Sequence, residues 1–256
     1  MRPEIAFFDI DGTLLDFGAK HINPLVTEAL CQLRRKGCRI FLATGRAPYM
    51  LPFSGEIPFD GLMCFNGSLA FDATGTIFAN PLDAVDIETV FLNAENLGKP
   101  IIVATDKARG YTFINADLED YLSFSPYACS PFDSTGKHHD AIYQLTVPTH
   151  EDIGTQLLHG TSRLAVVRWC DRALDIIPKH CGKAGAMREI LAHYAINREN
   201  VLAFGDGGND IEMLRYAGMG IAMENAPDAV KASADYVTAA CADAGVWSAL
   251  VDLGYI

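Results

Sequence analysis

The chain has 256 residues, half of them hydrophobic and 20% charged, with a formal net charge of −12. This length accommodates two packed domains, and the hydrophobic share excludes wholesale disorder. The acidic balance repels nucleic acid and anionic membranes at long range, which excludes both as expected partners. It also repels phosphorylated ligands, so a phosphate site must carry its own local positive charge.

Ile5 to Phe8 is a short apolar run ended by acids and Gly12, the pattern of a buried strand. Asn23-Pro24 then opens a helix, with Asn23 as N-cap and Pro24 in the first turn. Leu25, Val26, Ala29, Leu30 and Leu33 form its apolar stripe, and Gly37 stops it. Arg39 to Ala43 is the next strand, completing a βαβ unit that implies a parallel sheet with a right-handed crossover. Leu62 to Phe65 is a third strand, and Ser68 to Asn80 reads as a hairpin turning at Asp72 to Gly75.

The stretch 83–178 changes style, reading as helix, strand, strand, helix, strand, helix, strand, strand. Ile101 to Ala104 and Tyr111 to Ile114 flank a hairpin turn at Lys107 to Gly110. Thr149 with Asp152 resembles a capping box for a helix through Leu158. Arg163 to Trp169 and Leu174 to Ile177 flank a second turn at Asp171-Arg172. After it, parallel α/β resumes: a helix from Gly185 to Tyr194, a strand from Val201 to Phe204, and a helix from Asp210 to Tyr216. A strand from Met219 to Met223, a helix from Pro227 to Ala234, Tyr236 to Thr238 and a last helix from about Ala242 follow. The expected architecture is therefore an α/β, doubly wound, Rossmann-like core split into 1–82 and 179–256, with an α+β domain inserted at 83–178.

The seven cysteines, Cys31, Cys38, Cys64, Cys129, Cys170, Cys181 and Cys241, are odd in number and scattered, without a Cys-x-x-Cys pair. A reduced, cytoplasmic setting is the expectation. No run approaches the ~18 apolar residues of a membrane span. Asp9 and Asp11 also interrupt the opening run where a secretory signal stays apolar.

Four separated motifs lie at the ends of core elements. In FFDIDGTLL, Asp9 and Asp11 follow a buried strand, and residues two apart in extended chain point to the same side. They can face one site at the carboxyl edge of the sheet, where open α/β folds bind ligands. In LATGR, the Thr44 hydroxyl and the Gly45 amide suit a phosphate oxygen; Arg46 either lines the same cleft or is simply solvated, and its place directly after Thr44-Gly45 favours the cleft. Lys183 opens a helix, and FGDGGND carries Asp206 and Asp210 after a strand and at a helix start. Each alone has an ordinary structural explanation as turn former, cap or solvated residue. Together they converge on one sheet edge. Four carboxylates there repel: two charges ~4 Å apart cost about 4 kcal/mol at an effective dielectric of 20. Lys183 offsets one charge, so a divalent cation is the economical remedy, and all-oxygen donors point to Mg²⁺ rather than zinc. One carboxylate can alternatively stay protonated and serve as an acid. His138-His139 reads as polar loop, and Trp169 and Trp247 as packing residues.

These motifs resemble the haloacid dehalogenase superfamily of phosphohydrolases. Asp9-Ile10-Asp11-Gly12-Thr13-Leu14 is similar to its first motif, Thr44 to its second, Lys183 to its third, and Gly205-Asp206 through Asp210 to its fourth. Ala43 to Arg46, Asn66-Gly67 and Asp175 to Lys183 further resemble the Cof-type subfamily, which carries a large α/β cap between the second and third motifs. His180-Cys181-Gly182 departs from the Gly-Val-Ser-like run of relatives. The resemblance implies that Asp9 attacks phosphorus and that Asp11 protonates the leaving oxygen, then activates water. It further implies that Thr44, Gly45, Lys183 and Asn209 hold the phosphoryl oxygens. Mg²⁺ is then held by Asp9, the Asp11 carbonyl and Asp206, with Asp210 acting through water. The expectation is a Mg²⁺-dependent phosphohydrolase acting on a small phosphorylated metabolite, as a monomer or homodimer, with specificity set by the insert. A sugar phosphomutase or other phosphotransferase on the same core, and a phospho-receiver without turnover, are the competing readings.

Overall fold

The computed structural model describes residues 2–52, 57, 59–125, 127–132, 140–179 and 182–256. His138-His139 and His180-Cys181 lie outside the described residues, as does the side chain of Trp169. By internal contacts the chain forms two units: Met1–Arg46, Pro52–Ala79 and Cys181–Ile256 make the first, and Ala47–Leu51 and Asn80–His180 the second.

The first unit begins with β1 (Ile5–Phe8), fully buried, and α1 (Pro24–Arg35). The Asn23 side chain caps α1 by accepting from the Leu25 N–H, and Gly37 ends the turn with φ +90. Val26, Ala29, Leu30 and Leu33 are buried, but Leu25 is 51% exposed. At the first turn Leu25 already points off the stripe, so the expected apolar face is one residue shorter. The chain continues through β2 (Arg39–Ala43), β3 (Gly61–Cys64), β4 (Leu69–Asp72) and β5 (Gly75–Ala79). The Asp72 carboxylate accepts from the N–H groups of Thr74 and Gly75, which sets the hairpin turn.

The second unit contains α2 (Ala84–Asn96), β6 (Ile102–Thr105), β7 (Arg109–Tyr111), α3 (Ala116–Phe124), β8 (Ser130–Pro131), β9 (Ile142–Pro148), α4 (Gly154–Leu157), β10 (Leu164–Cys170) and β11 (Ala173–Pro178). Its six strands run in the order β10-β11-β9-β6-β7-β8, all antiparallel except the β7–β8 pair. β8 escapes sequence reading because two exposed residues carry no alternation. Arg109 and Gly110 belong to β7 rather than to the turn, which moves the first hairpin's turn toward β6. No capping box forms at Thr149: its hydroxyl accepts from the Glu151 N–H in a local turn, and α4 starts later without a side-chain cap. Val90 and Ala94 of α2 and Leu157 of α4 pack with Leu145, Val147 and Ile176 on one face. Leu118 and Tyr121 of α3 pack with Ile102 and Ala173 on the other.

The chain then re-enters the first unit with α5 (Lys183–Tyr194), β12 (Val201–Gly205), α6 (Ile211–Tyr216), β13 (Met219–Ala222), α7 (Asp228–Lys231), β14 (Tyr236–Val237) and α8 (Gly245–Asp252). α7 is half the expected length, and α8 starts later than Ala242 because a 3-10 turn at Cys241–Asp243 precedes it. The eight-stranded sheet has the order β14-β13-β12-β1-β2-β3-β4-β5, parallel from β14 through β3. Strand order reverses at β1, which pairs with β2 on one side and β12 on the other. Phe7 and Phe41 pack with Ala186 and Ile190 of α5 and Met213 and Leu214 of α6. The fold is thus a doubly wound α/β core with an inserted α+β unit. Among the described residues no helix is long and apolar enough to cross a membrane.

Candidate active site

The reversal of strand order at β1 decides which motifs meet. Phe8 is in register with both Leu42 and Phe204, so Asp9, Thr44 and Asp206 all emerge at the carboxyl edge of neighbouring strands. Such an edge at a switch point is where open α/β sheets bind ligands.

Asp9 is 7% exposed, and its N–H donates to the Phe204 carbonyl. Its Oδ1 accepts from Lys183 Nζ at 2.5 Å, and Lys183 Nζ also donates to Asp210 Oδ1 at 2.6 Å. The Lys183 side chain has no solvent exposure. It reaches the acids because α5 starts at Lys183 and its first turn abuts the loop after β3. There Phe65, Asn66 and Gly67 take positive φ (52, 54 and 95), and a Cβ on Gly67 would stand 2.5 Å from the Gly182 carbonyl oxygen. Two consecutive non-glycine residues in that region mark a strained loop held by its surroundings. Asn66 is 7% exposed and accepts from Asn209 Nδ2 at 2.9 Å, which joins the third and fourth strand-end loops.

Asp11 is held differently from Asp9. Its side chain is 42% exposed and is gripped by Arg46, whose Nε donates to Oδ2 at 2.8 Å while a terminal nitrogen donates to Oδ1 at 2.5 Å. A planar guanidinium with two parallel bonds fixes the carboxylate's orientation. Thr44 is buried, and its hydroxyl accepts from the Arg46 N–H at 3.1 Å, which leaves the hydroxyl proton for another acceptor. Gly45 lies beside Asn66, whose side-chain atoms would be 3.1 Å from a Cβ there.

Asp210 is fully buried and spends both oxygens inside the protein. Oδ1 accepts from Lys183, and Oδ2 accepts from the N–H groups of Asp206 and Gly207. Asp206 is 8% exposed and accepts from the Thr13 hydroxyl at 2.8 Å and from Asn225 Nδ2 at 3.4 Å. In the sequence Thr13 is visible only as part of the Asp-Gly-Thr run, and Asn225 carries no local signal. Gly12 takes φ +85, and a Cβ there would lie 2.1 Å from Asp206 Oδ2, so only glycine admits this approach.

The electrostatics follow from burial. Removal from water pushes the Asp9 carboxyl up to about 8 against the pull of Lys183, and pushes Asp206 up to about 6 against the Thr13 hydrogen bond. Burial alone would push Lys183 down, but Asp210 and Asp9 hold it above the ordinary lysine range and keep it charged. Asp9, Asp206 and Asp210 each offer a carboxylate oxygen within 4.8 Å of the others. Three buried acids against one lysine leave a deficit of positive charge. The hard oxygen donors fit a divalent cation of the Mg²⁺ type.

A family model of haloacid dehalogenase-like hydrolases matches residues 6–250. Among solved structures, the chain is similar to BT1666 of Bacteroides thetaiotaomicron, described among the phosphatases of the haloalkanoate superfamily. The TM-score is 0.93 at 26% identity, covering 100% of this chain and 96% of the other. The subclass IIB sugar phosphatase BT4131 matches with a TM-score of 0.86 at 30% identity, over 99% and 100% of the two chains. The 5-amino-6-(5-phospho-D-ribitylamino)uracil phosphatase YbjI of Escherichia coli is 27% identical over 245 residues, covering 92% and 90%. A family match over nearly the whole chain, on a fold that gathers all four motifs at one sheet edge, establishes that the chain belongs to the haloacid dehalogenase-like hydrolases, as an enzyme of the phosphoric monoester hydrolase class.

Proposed function

We propose that this chain is a Mg²⁺-dependent phosphatase that removes the phosphoryl group from a small phosphorylated metabolite through an aspartyl-phosphate on Asp9. The observation that carries the reading is the buried Asp9 carboxylate 2.5 Å from Lys183 Nζ, beside Asp206 and Asp210 at the switch point of the sheet. Asp9 attacks phosphorus. The bond to the ester oxygen breaks, and that oxygen leaves with a proton from Asp11. Asp11 then takes a proton from water, whose oxygen attacks the same phosphorus. The bond to Asp9 breaks, releasing inorganic phosphate and restoring the carboxylate. Thr44, the Gly45 N–H, Lys183 and Asn209 hold the phosphoryl oxygens, and Arg46 keeps Asp11 aimed. Asp9, the Asp11 carbonyl and Asp206 would hold the cation, with Asp210 acting through water. When bound, the cation neutralises charge on the phosphoryl oxygens. The inserted unit selects the substrate, a role supported by its position in the chain between the second and third motifs. Two of the relatives are named as a sugar phosphatase and a 5-amino-6-(5-phospho-D-ribitylamino)uracil phosphatase, which supports small monoesters as the substrate class. The six free cysteines among the described residues support a reducing, cytoplasmic setting.

The test is phosphate release from a panel of small phosphate monoesters and one phosphopeptide, with and without chelator. Release from small esters should require Mg²⁺ and should not return with Ca²⁺, whose larger shell misplaces the acids. Full activity in a chelated sample overturns the cation assignment. Isomerised sugar phosphate without net phosphate release overturns hydrolysis in favour of a mutase. A higher kcat/KM for the phosphopeptide overturns the substrate class.

A further inference from the structure

We infer that Thr13, assisted by Asn225, is a positioning residue that holds the Asp206 carboxylate in the orientation a divalent cation requires; this rests on the proposed function. Thr13 is 1% exposed, and its hydroxyl donates to Asp206 Oδ1 at 2.8 Å. Asn225 Nδ2 donates to the Gly12 carbonyl at 2.9 Å and, more weakly, to Asp206 Oδ2 at 3.4 Å. The two donors address different oxygens of one carboxylate, so rotation about the Asp206 Cβ–Cγ bond breaks both bonds. Each oxygen keeps a lone pair for a cation. The Gly12 backbone closes the remaining side, with Asp206 Oδ2 where a Cβ would fall.

The donors are themselves held. The Thr13 N–H donates to the Ile10 carbonyl, and Cys241 Sγ approaches the Thr13 carbonyl at 3.2 Å. The Cys241 N–H donates to Asn225 Oδ1 at 2.9 Å. Loops after β1, β12 and β13 and the turn before α8 are thereby tied around one carboxylate. A buried hydroxyl placed on a carboxylate orients it far more firmly than a hydrogen bond shared with water. Asn225 is exposed, where water competes for its donor, so its contribution is the smaller. Groups that orient a cation's ligands typically change its affinity ~10–100-fold when removed.

The experiment is calorimetric titration of the full chain with Mg²⁺ alone, for wild type, Thr13→Val, Thr13→Ser and Asn225→Ala. Thr13→Val, which keeps the shape and loses the donor, should weaken binding ~10–100-fold. Thr13→Ser should bind nearly as wild type does, and Asn225→Ala should fall between. In turnover, Thr13→Val should need more Mg²⁺ for half-maximal rate while keeping most of kcat at saturating Mg²⁺. Equal Mg²⁺ affinities for wild type and Thr13→Val overturn this inference alone. Should Thr13→Val not fold, Asn225→Ala decides by the same titration. Loss of folding in both variants overturns the inference, since the residues would then serve the fold and not the cation. No Mg²⁺ binding by the wild type removes the proposed function and this inference with it.

Discussion

Lys183 Nζ lies 2.5 Å from Asp9 Oδ1, with the lysine side chain wholly removed from solvent. Asp210 Oδ1 is 2.6 Å away from the same nitrogen. Removing a buried cation from such a pair strands its acids, a loss of about 3–5 kcal/mol. Lys183→Met should lower the urea midpoint accordingly and abolish phosphate release. Lys183→Met with Asp210→Asn should recover part of the stability and none of the turnover. A double variant no more stable than the single one would show that charge pairing is not what the lysine contributes to folding.

Asp9→Asn is expected to be as stable as wild type, or more so, when metal-free. Burial already disfavours the Asp9 charge and pushes its carboxyl up to about 8, so a neutral amide of the same shape removes a penalty. The same variant should lose nearly all turnover, because an amide cannot form the acyl phosphate. Thermal unfolding and phosphate release on one preparation check both halves. Activity near wild type removes Asp9 from the mechanism.

Arg46 fixes Asp11 through two hydrogen bonds, so the acid–base role should depend on the guanidinium and not merely on positive charge. Asp11→Asn should cost ~10²–10⁴-fold in the formation step with alkyl phosphates. The same step should suffer little with aryl phosphates, whose leaving oxygen needs no proton. Arg46→Lys should show the same leaving-group dependence in weaker form. Single-turnover kinetics across a leaving-group series measures this, and a uniform loss across the series would sink the assignment.

Outside the site, Asp72 should titrate near 2. The Thr74 hydroxyl lowers its pKa most, followed by the Tyr194 phenol, with the Thr74 and Gly75 N–H groups adding to them. The folded value lies below the ordinary 3.8. Its stabilising contribution is therefore complete above that value and disappears as pH falls through about 2. Thr74→Ala should raise the Asp72 midpoint toward 3.8 in a carboxyl carbon NMR titration, and its urea midpoint deficit should shrink between pH 7 and pH 3. An unchanged titration would mean that the Tyr194 phenol and the turn's N–H groups hold the charge without the Thr74 hydroxyl.

Much of the core was legible in the chain itself. Buried parallel strands read as short apolar runs, and Ile5 to Phe8, Arg39 to Ala43 and Val201 to Phe204 are strands within a residue of expectation. Asn23-Pro24 marks a helix start because a side-chain cap and a missing N–H are local features. The candidate acids, Thr44 and Lys183 announced themselves by following such strands or opening a helix. Weak local signals failed where solvent or neighbours decide: the exposed two-residue β8, the exposed Leu25, and Thr149, which turned its hydroxyl to a turn instead of a helix.

Partnership within the site was a tertiary decision. The sequence places Asp9 and Asp11 two residues apart, so that both can face one site, but only the fold pairs Asp9 with Lys183 and Asp11 with Arg46. Which acid meets which base depends on β1 lying between β2 and β12, a neighbour relation set by strand order across most of the chain's length. Thr13 and Asn225 reach Asp206 only because loops distant in sequence close around Gly12, where the absence of a Cβ leaves room for a carboxylate. Local periodicity reports which residues are buried and in what element. Hydrogen-bond partners are chosen by sheet order, register and the backbone conformation of the strand-end loops, and these exist only once the chain has folded.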